Sequence, residues 1–106
     1  MKVKVVFHID DVNRWPRVKG NVQNLLKETQ EIVVIILANS DAVQGYLSEE
    51  NQAFIQTTPI VFHACRNALR GQKISEDELP DAVKVVPAGV LDLIELQTQG
   101  YSYIKV

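Results

Sequence analysis

Ile32-Val-Val-Ile-Ile-Leu-Ala38 is apolar at every position. A half-buried strand alternates apolar and polar side chains, whereas a strand covered on both faces need not. Seven unbroken apolar residues are too few for a membrane span, which takes about 20. They suit an inner strand of a parallel sheet with helices on both sides. The flanks agree. Upstream, Val18, Val22, Leu25 and Leu26 recur at i, i+4, i+7 and i+8, which is one apolar face of a helix beginning near Pro16. Downstream, Asn39-Ser-Asp41 offers capping residues, and Ala42 to Leu47 reads as a short helix.

Further outward, Lys2 to Ile9 alternates, with Val3, Val5, Phe7 and Ile9 on one side and Lys4, Val6 and His8 on the other. This is a first strand, broken by Asp10, Asp11 and Asn13. Trp15 with Pro16 reads as a packed loop. Ser48-Glu-Glu50 caps a further helical turn through Ile55, and Pro59 precedes a third strand, Ile60 to Ala64. Cys65 to Leu69 reads as helical, with Gly71 placed to end it. Ser75 to Glu78 suggests a turn stopped by Pro80, and Val83 to Val86 a short fourth strand. Pro87 and Gly89 introduce a helix whose Val90, Leu91, Leu93, Ile94 and Leu96 make a wide apolar stripe. Gly100 ends it before a last strand, Tyr101 to Val106. Strands alternating with helices predict an α/β fold whose right-handed crossovers make the sheet mostly parallel. No repeat, low-complexity tract or linker divides the chain, so one domain over residues 1–106 is expected.

Composition narrows the function classes. Apolar residues are 46% and charged residues 23%, ordinary for a globular protein, and the net charge is −2. Lys and Arg form no basic stripe, so no nucleic-acid partner is expected. No membrane segment is expected either. The single cysteine has no intramolecular disulfide partner, and no signal-peptide pattern opens the chain. The expected setting is therefore cytoplasmic and reducing, where a lone thiol stays free.

In parallel sheets, chemistry gathers at the carboxyl ends of the strands. Here those ends are His8 to Asp11, Asn39 to Asp41, His63 to Asn67 and Pro87 to Gly89. Cys65 is the most chemically capable group among them. A helix N-terminus holds unpaired N–H groups that favour a thiolate, with Arg66 and His63 as further support. The competing reading is a small buried hydrophobe. His63, two residues before Cys65, shares its strand face and is a candidate base for the thiol; the alternative is a histidine satisfied by a backbone carbonyl. His8 is placed to line the same rim, or to make a structural hydrogen bond.

Asp10 and Asp11 have the residue type for magnesium, but aspartate is also a common turn residue, and no second acid completes such a site. No metal is therefore expected. The absence of a Gly-rich dinucleotide fingerprint and of a Walker-type loop leaves no cofactor indicated. Ser40 lacks a nucleophile-elbow motif.

Taken together, Val5-Val-Phe-His-Ile-Asp10, Ala38-Asn-Ser-Asp-Ala-Val43, Phe62-His-Ala-Cys-Arg-Asn-Ala-Leu69, Val85-Val-Pro-Ala-Gly-Val90 and Gln99-Gly-Tyr-Ser-Tyr-Ile-Lys105 make the chain resemble the small stand-alone branch of the DsrE/DsrF-like, or sulfur-relay, family. The resemblance implies a three-layer α/β/α sandwich with a five-stranded sheet in the order 4-3-2-1-5. It implies homo-oligomers, trimers or hexamers, and a cysteine that carries a persulfide between donor and acceptor proteins, acting as a carrier rather than a turnover enzyme. The matching cysteine is Cys65. Asn39, Asn67 and His8 fall in the recurring segments and are the expected pocket residues around it.

With that strand order, right-handed crossovers place the helices after the first three strands on one face. The helix near Val90 to Gln97 is left alone on the other. Its stripe then has both the sheet and a partner subunit to bury against, so Leu93→Glu and Leu96→Glu are expected to weaken assembly. Two other functions stay open at this level. One is a small-ligand-binding or regulatory module in which Cys65 merely lines a pocket. The other is a magnesium-dependent or phospho-receiver domain built on Asp10 and Asp11.

Overall fold

The computed structural model describes residues 3–106, so Lys2, where the sequence reading begins the first strand, lies outside the described residues. The strands are β1 (Val3–Ile9), β2 (Ile32–Ala38), β3 (Val61–Cys65), β4 (Val83–Val86) and β5 (Ser102–Lys105). They form a sheet in the order β4-β3-β2-β1-β5, and all four pairings are parallel. The helices are α1 (Trp15–Glu28), α2 (Glu49–Thr57), α3 (Arg66–Gly71) and α4 (Gly89–Thr98), with 3-10 turns at Val12–Arg14, Ser40–Leu47 and Glu76–Glu78. The layered architecture and strand order are those expected.

The strand composition follows from position. β2 lies between β1 and β3 with helices packed on both faces, and its residues from Val34 to Ala38 are all buried. The two faces carry separate cores. On one, Val5, Phe7 and Ile9 of β1, Val34, Ile36 and Ala38 of β2, and Phe62 and Ala64 of β3 pack with α1, α2, α3 and the Ser40–Leu47 turn. On the other, Val6, Ile35, Leu37 and Val86 meet Leu93 and Leu96 of α4, with Tyr101 at the margin. The period of two assigns His8, His63 and Cys65 to this smaller face.

Local differences from the sequence reading have physical causes. Trp15 is not in a loop: it begins α1 and is buried, its indole Nε1 donating to the carbonyl of Ala42 at 2.8 Å. That approach requires Gly45, since a Cβ there would lie 1.9 Å from the indole nitrogen. The Ser40–Leu47 segment winds as a 3-10 rather than an α-helix, and the side chain of Asn39 does not cap it. β3 starts at Val61 and runs through Cys65, so the cysteine closes the strand and α3 begins at Arg66.

Leu93 and Leu96 are the inner residues of α4, buried against the sheet; the exposed apolar residues of the helix are Val90, Leu91 and Ile94. Leu93→Glu and Leu96→Glu would therefore place a charge inside the smaller core and test the fold rather than assembly. Among the described residues, no helix is long and apolar enough to cross a membrane.

Candidate functional site at the carboxyl ends of β2, β3 and β4

α3 packs on the larger core through Leu69, whereas α4 packs on the smaller one. The chain leaving β3 therefore turns to one face, and the chain leaving β4 turns to the other. Adjacent strands whose connections part in this way open a crevice at their carboxyl ends. Cys65 ends β3 on one side of that crevice, and Pro87-Ala-Gly89 leads into α4 on the other.

The thiol meets the second of these elements. The backbone N–H of Gly89, in the first turn of α4, donates to Cys65 Sγ at 3.2 Å. The sequence reading places Cys65 at the N-terminus of its own helix. Cys65 does occupy the N-cap position of α3 without a side-chain cap bond, but the amide that reaches the sulfur comes from α4. Gly89 permits the contact: a Cβ there would sit 3.3 Å from the Cys65 Cβ, 3.3 Å from Leu37 Cδ1 and 3.4 Å from the Asn39 Cβ. A ten-residue helix presenting a free first-turn N–H to sulfur offers partial positive charge where a thiolate or persulfide anion would sit. Cys65 is buried, yet it lines a shallow open groove of about 420 Å³ together with Asn39, Ser40, Asn67, Gly89 and Val90.

The other expected residues divide. Asn39 and Asn67 line the groove. His8 stands behind Asn39: its Nε2 lies 2.8 Å from Asn39 Oδ1 and its Nδ1 2.7 Å from the Tyr103 hydroxyl. An amide oxygen only accepts, so Nε2 carries the proton, and in the neutral ring the tyrosine hydroxyl donates to Nδ1. In this arrangement His8 holds the Asn39 amide oxygen, and the Asn39 NH2 has no hydrogen-bond partner among the described residues.

His63 turns Nδ1 to Asp92 Oδ2 at 2.8 Å, and among the described residues no hydrogen bond joins it to Cys65. It is not placed as a base on the thiol. Arg66 is drawn away as well, its Nε donating to Glu76 Oε2 at 2.9 Å. Asp10 pairs with Lys105 at 2.8 Å, and the lysine's hydrogen bond holds its carboxyl below the ordinary value despite partial burial. Asp11 accepts from the N–H of Asn13, and Asp41 from that of Val12. Both acids thus serve the turn after β1. Among the described residues, no three His, Cys, Asp or Glu side chains gather as metal ligands.

Sequence reasoning reaches Gly89 only as a strand-end and helix-start residue, not as a partner of Cys65, and it misses Asp92 and Tyr46. The Tyr46 hydroxyl is fully buried on the opposite face and donates to the carbonyl of His63 at 2.7 Å, holding β3 from beneath. Burial pushes its phenol well above the ordinary range, so it stays a donor. No local pattern marks these residues, because each finds its partner at least 17 positions away.

The same architecture occurs in a solved structure of a protein of unknown function from Methanobacterium thermoautotrophicum. It is 32% identical, with a TM-score of 0.88, and the match covers 99% of this chain and 100% of that one. No curated protein matches the chain. The family model that matches, across residues 1–106, is that of the DsrE/DsrF-like family.

Proposed function

Since the chain belongs to the DsrE/DsrF-like family, we propose that it is a sulfur-relay carrier whose Cys65 accepts and delivers sulfane sulfur as a persulfide. The observation that carries this reading is the Gly89 N–H on Cys65 Sγ at the mouth of an open groove. A carrier thiol must be an anion to attack, and must hold a second anionic sulfur afterwards; a helix N-terminus favours both.

In the charging step, the Cys65 thiolate attacks the outer sulfur of a donor persulfide, R–S–SH. A bond forms between Sγ and that sulfur, and the donor's S–S bond breaks. The donor's inner sulfur leaves as R–S⁻ and takes the proton from the transferred sulfur to become R–SH, so the protein holds Cys–S–S⁻. Delivery is the same exchange run onto an acceptor. No net oxidation occurs, and no cofactor is called for. Asn39 lines the groove, and its NH2 is the donor this reading assigns to the outer sulfur. Asn67, also on the groove, lies on its α3 side.

Assembly belongs to the same reading. Val90, Leu91 and Ile94 are exposed on α4, and Val90 also lines the groove. A homo-oligomer, trimeric or hexameric, would cover this stripe and shelter the persulfide from solvent. The test of the chemistry is intact mass after incubation with a low-molecular-weight persulfide. The wild-type chain is expected to gain one sulfur atom, reversibly on reduction, and Cys65→Ala to gain none. A wild-type chain that takes up no sulfur would refute the carrier reading and leave a ligand-binding module on the same groove.

A further inference from the structure

α4 is tied to β3 at two points. Cys65 and His63 are two residues apart on one face of β3, and Gly89 and Asp92 are three apart on α4. The Gly89 N–H meets Cys65 Sγ at 3.2 Å, and the Asp92 carboxylate meets His63 Nδ1 at 2.8 Å. Two strand residues span about 6.7 Å and three helical residues about 4.5 Å, a gap of about 2 Å that the histidine and aspartate side chains bridge. α4 runs back along the strand, so its first residue meets the end of β3 and its fourth meets the residue two before that end.

The tie is sheltered. The His63 and Asp92 side chains are only 8% and 12% exposed. In the sheet His63 is flanked by the apolar Leu37 of β2 and by Lys84 of β4, whose side chain is exposed. From beneath, the Tyr46 hydroxyl holds the His63 carbonyl, so the β3 end of the tie is itself fixed.

We propose that Asp92 and His63 are positioning residues: their bond sets the rotation and depth of the α4 N-terminus so that the Gly89 N–H stays on the Cys65 sulfur. The inference rests on the carrier reading for its purpose, but not for its test. Leu93 and Leu96 seat α4 on the sheet, but apolar packing is non-directional and a single N–H···S contact at the helix end leaves small rotations about it. A second contact one turn along removes that freedom. Hydrogen bonds weaken steeply with misalignment, so loss of the second tie should reach the sulfur through the helix. Charge alone predicts the opposite sign, because removing the Asp92 carboxylate takes away a negative group near the thiolate.

The experiment is the pH-rate profile of Cys65 alkylation by iodoacetamide, read as the rate at pH 7 divided by the high-pH plateau. That ratio reports the thiolate fraction and cancels changes in access. In Asp92→Ala it is expected to fall by roughly 3- to 10-fold, a part of what a hydrogen bond to a charged group contributes. Asp92→Asn, which can still accept from Nδ1, is expected to keep the wild-type ratio. Asp92→Ser, too short to reach the ring, is the second variant should the alanine protein fail to fold, and is expected to behave as Ala. An unchanged ratio in Ala or Ser, or a ratio that rises in Asn and Ala alike, would overturn the proposal. No sulfur donor is used, so failure here leaves the persulfide test standing, and failure there leaves this one standing.

Discussion

The two faces of the sheet are built to different standards. The face under α1, α2 and α3 is an aromatic core in which Trp15, Tyr46, Phe54 and Phe62 meet edge to face, with centroids 5.2 to 6.3 Å apart. Its buried polar atoms are spent on holding backbone, as in Trp15 to Ala42 and Tyr46 to His63. The face under α4 has a small aliphatic core, one helix to cover it, and both histidines and the cysteine of the chain. Aromatic packing is concentrated on one side of the sheet, and the titratable and nucleophilic side chains of the strands on the other. The carboxyl-end crevice lies where the connections part between them.

The comparison breaks most plainly through stability. Phe62→Ala on the aromatic face is expected to cost about 3–5 kcal/mol, whereas Leu96→Ala on the α4 face is expected to cost ~2 kcal/mol. Denaturant unfolding of both variants measures the difference, and equal losses would show the faces to be energetically alike. Next in size is assembly. Leu91→Glu with Ile94→Glu, both on the solvent side of α4, should turn the proposed oligomer into monomers by sedimentation while the monomer keeps its fold by circular dichroism. An assembly that survives the pair would move the interface off α4.

The smallest effect belongs to the Asp10–Lys105 pair at the β1–β5 margin. Its partners are 42% and 44% exposed, so Asp10→Asn should cost only a few tenths of a kcal/mol, less in high salt. The sign is fixed by the lowered carboxyl. The contribution is complete above the ordinary value of 3.8 and fades as pH falls through the lower folded value. A wild-type advantage over Asp10→Asn that grows on acidification would contradict it.

The two faces were also unequally legible in the sequence. Alternation in β1 and the unbroken apolar run of β2 carry the sheet, because strand periodicity reports burial directly, and the groups at the strand ends then follow. What periodicity does not encode is which side chain meets which across elements. Gly89 finds Cys65 24 positions away, and Asp92 finds His63 29 positions away, once α4 has packed. Arg66 looks close to the thiol along the chain, yet it has an acid within ten positions, Glu76, and turns to it. The stripe on α4 is visible as apolar, but only packing shows that Leu93 and Leu96 are its inner half and that Val90, Leu91 and Ile94 are its outer half.

The central claim is that the α4 face carries sulfur on Cys65. Its most direct test charges the purified protein with a low-molecular-weight persulfide, removes the excess, and adds an acceptor thiol while following intact mass. The account predicts a single-sulfur adduct that maps to the Cys65 peptide and disappears on addition of the acceptor. An adduct that never forms, that forms equally on Cys65→Ala, or that no acceptor thiol can discharge would contradict it.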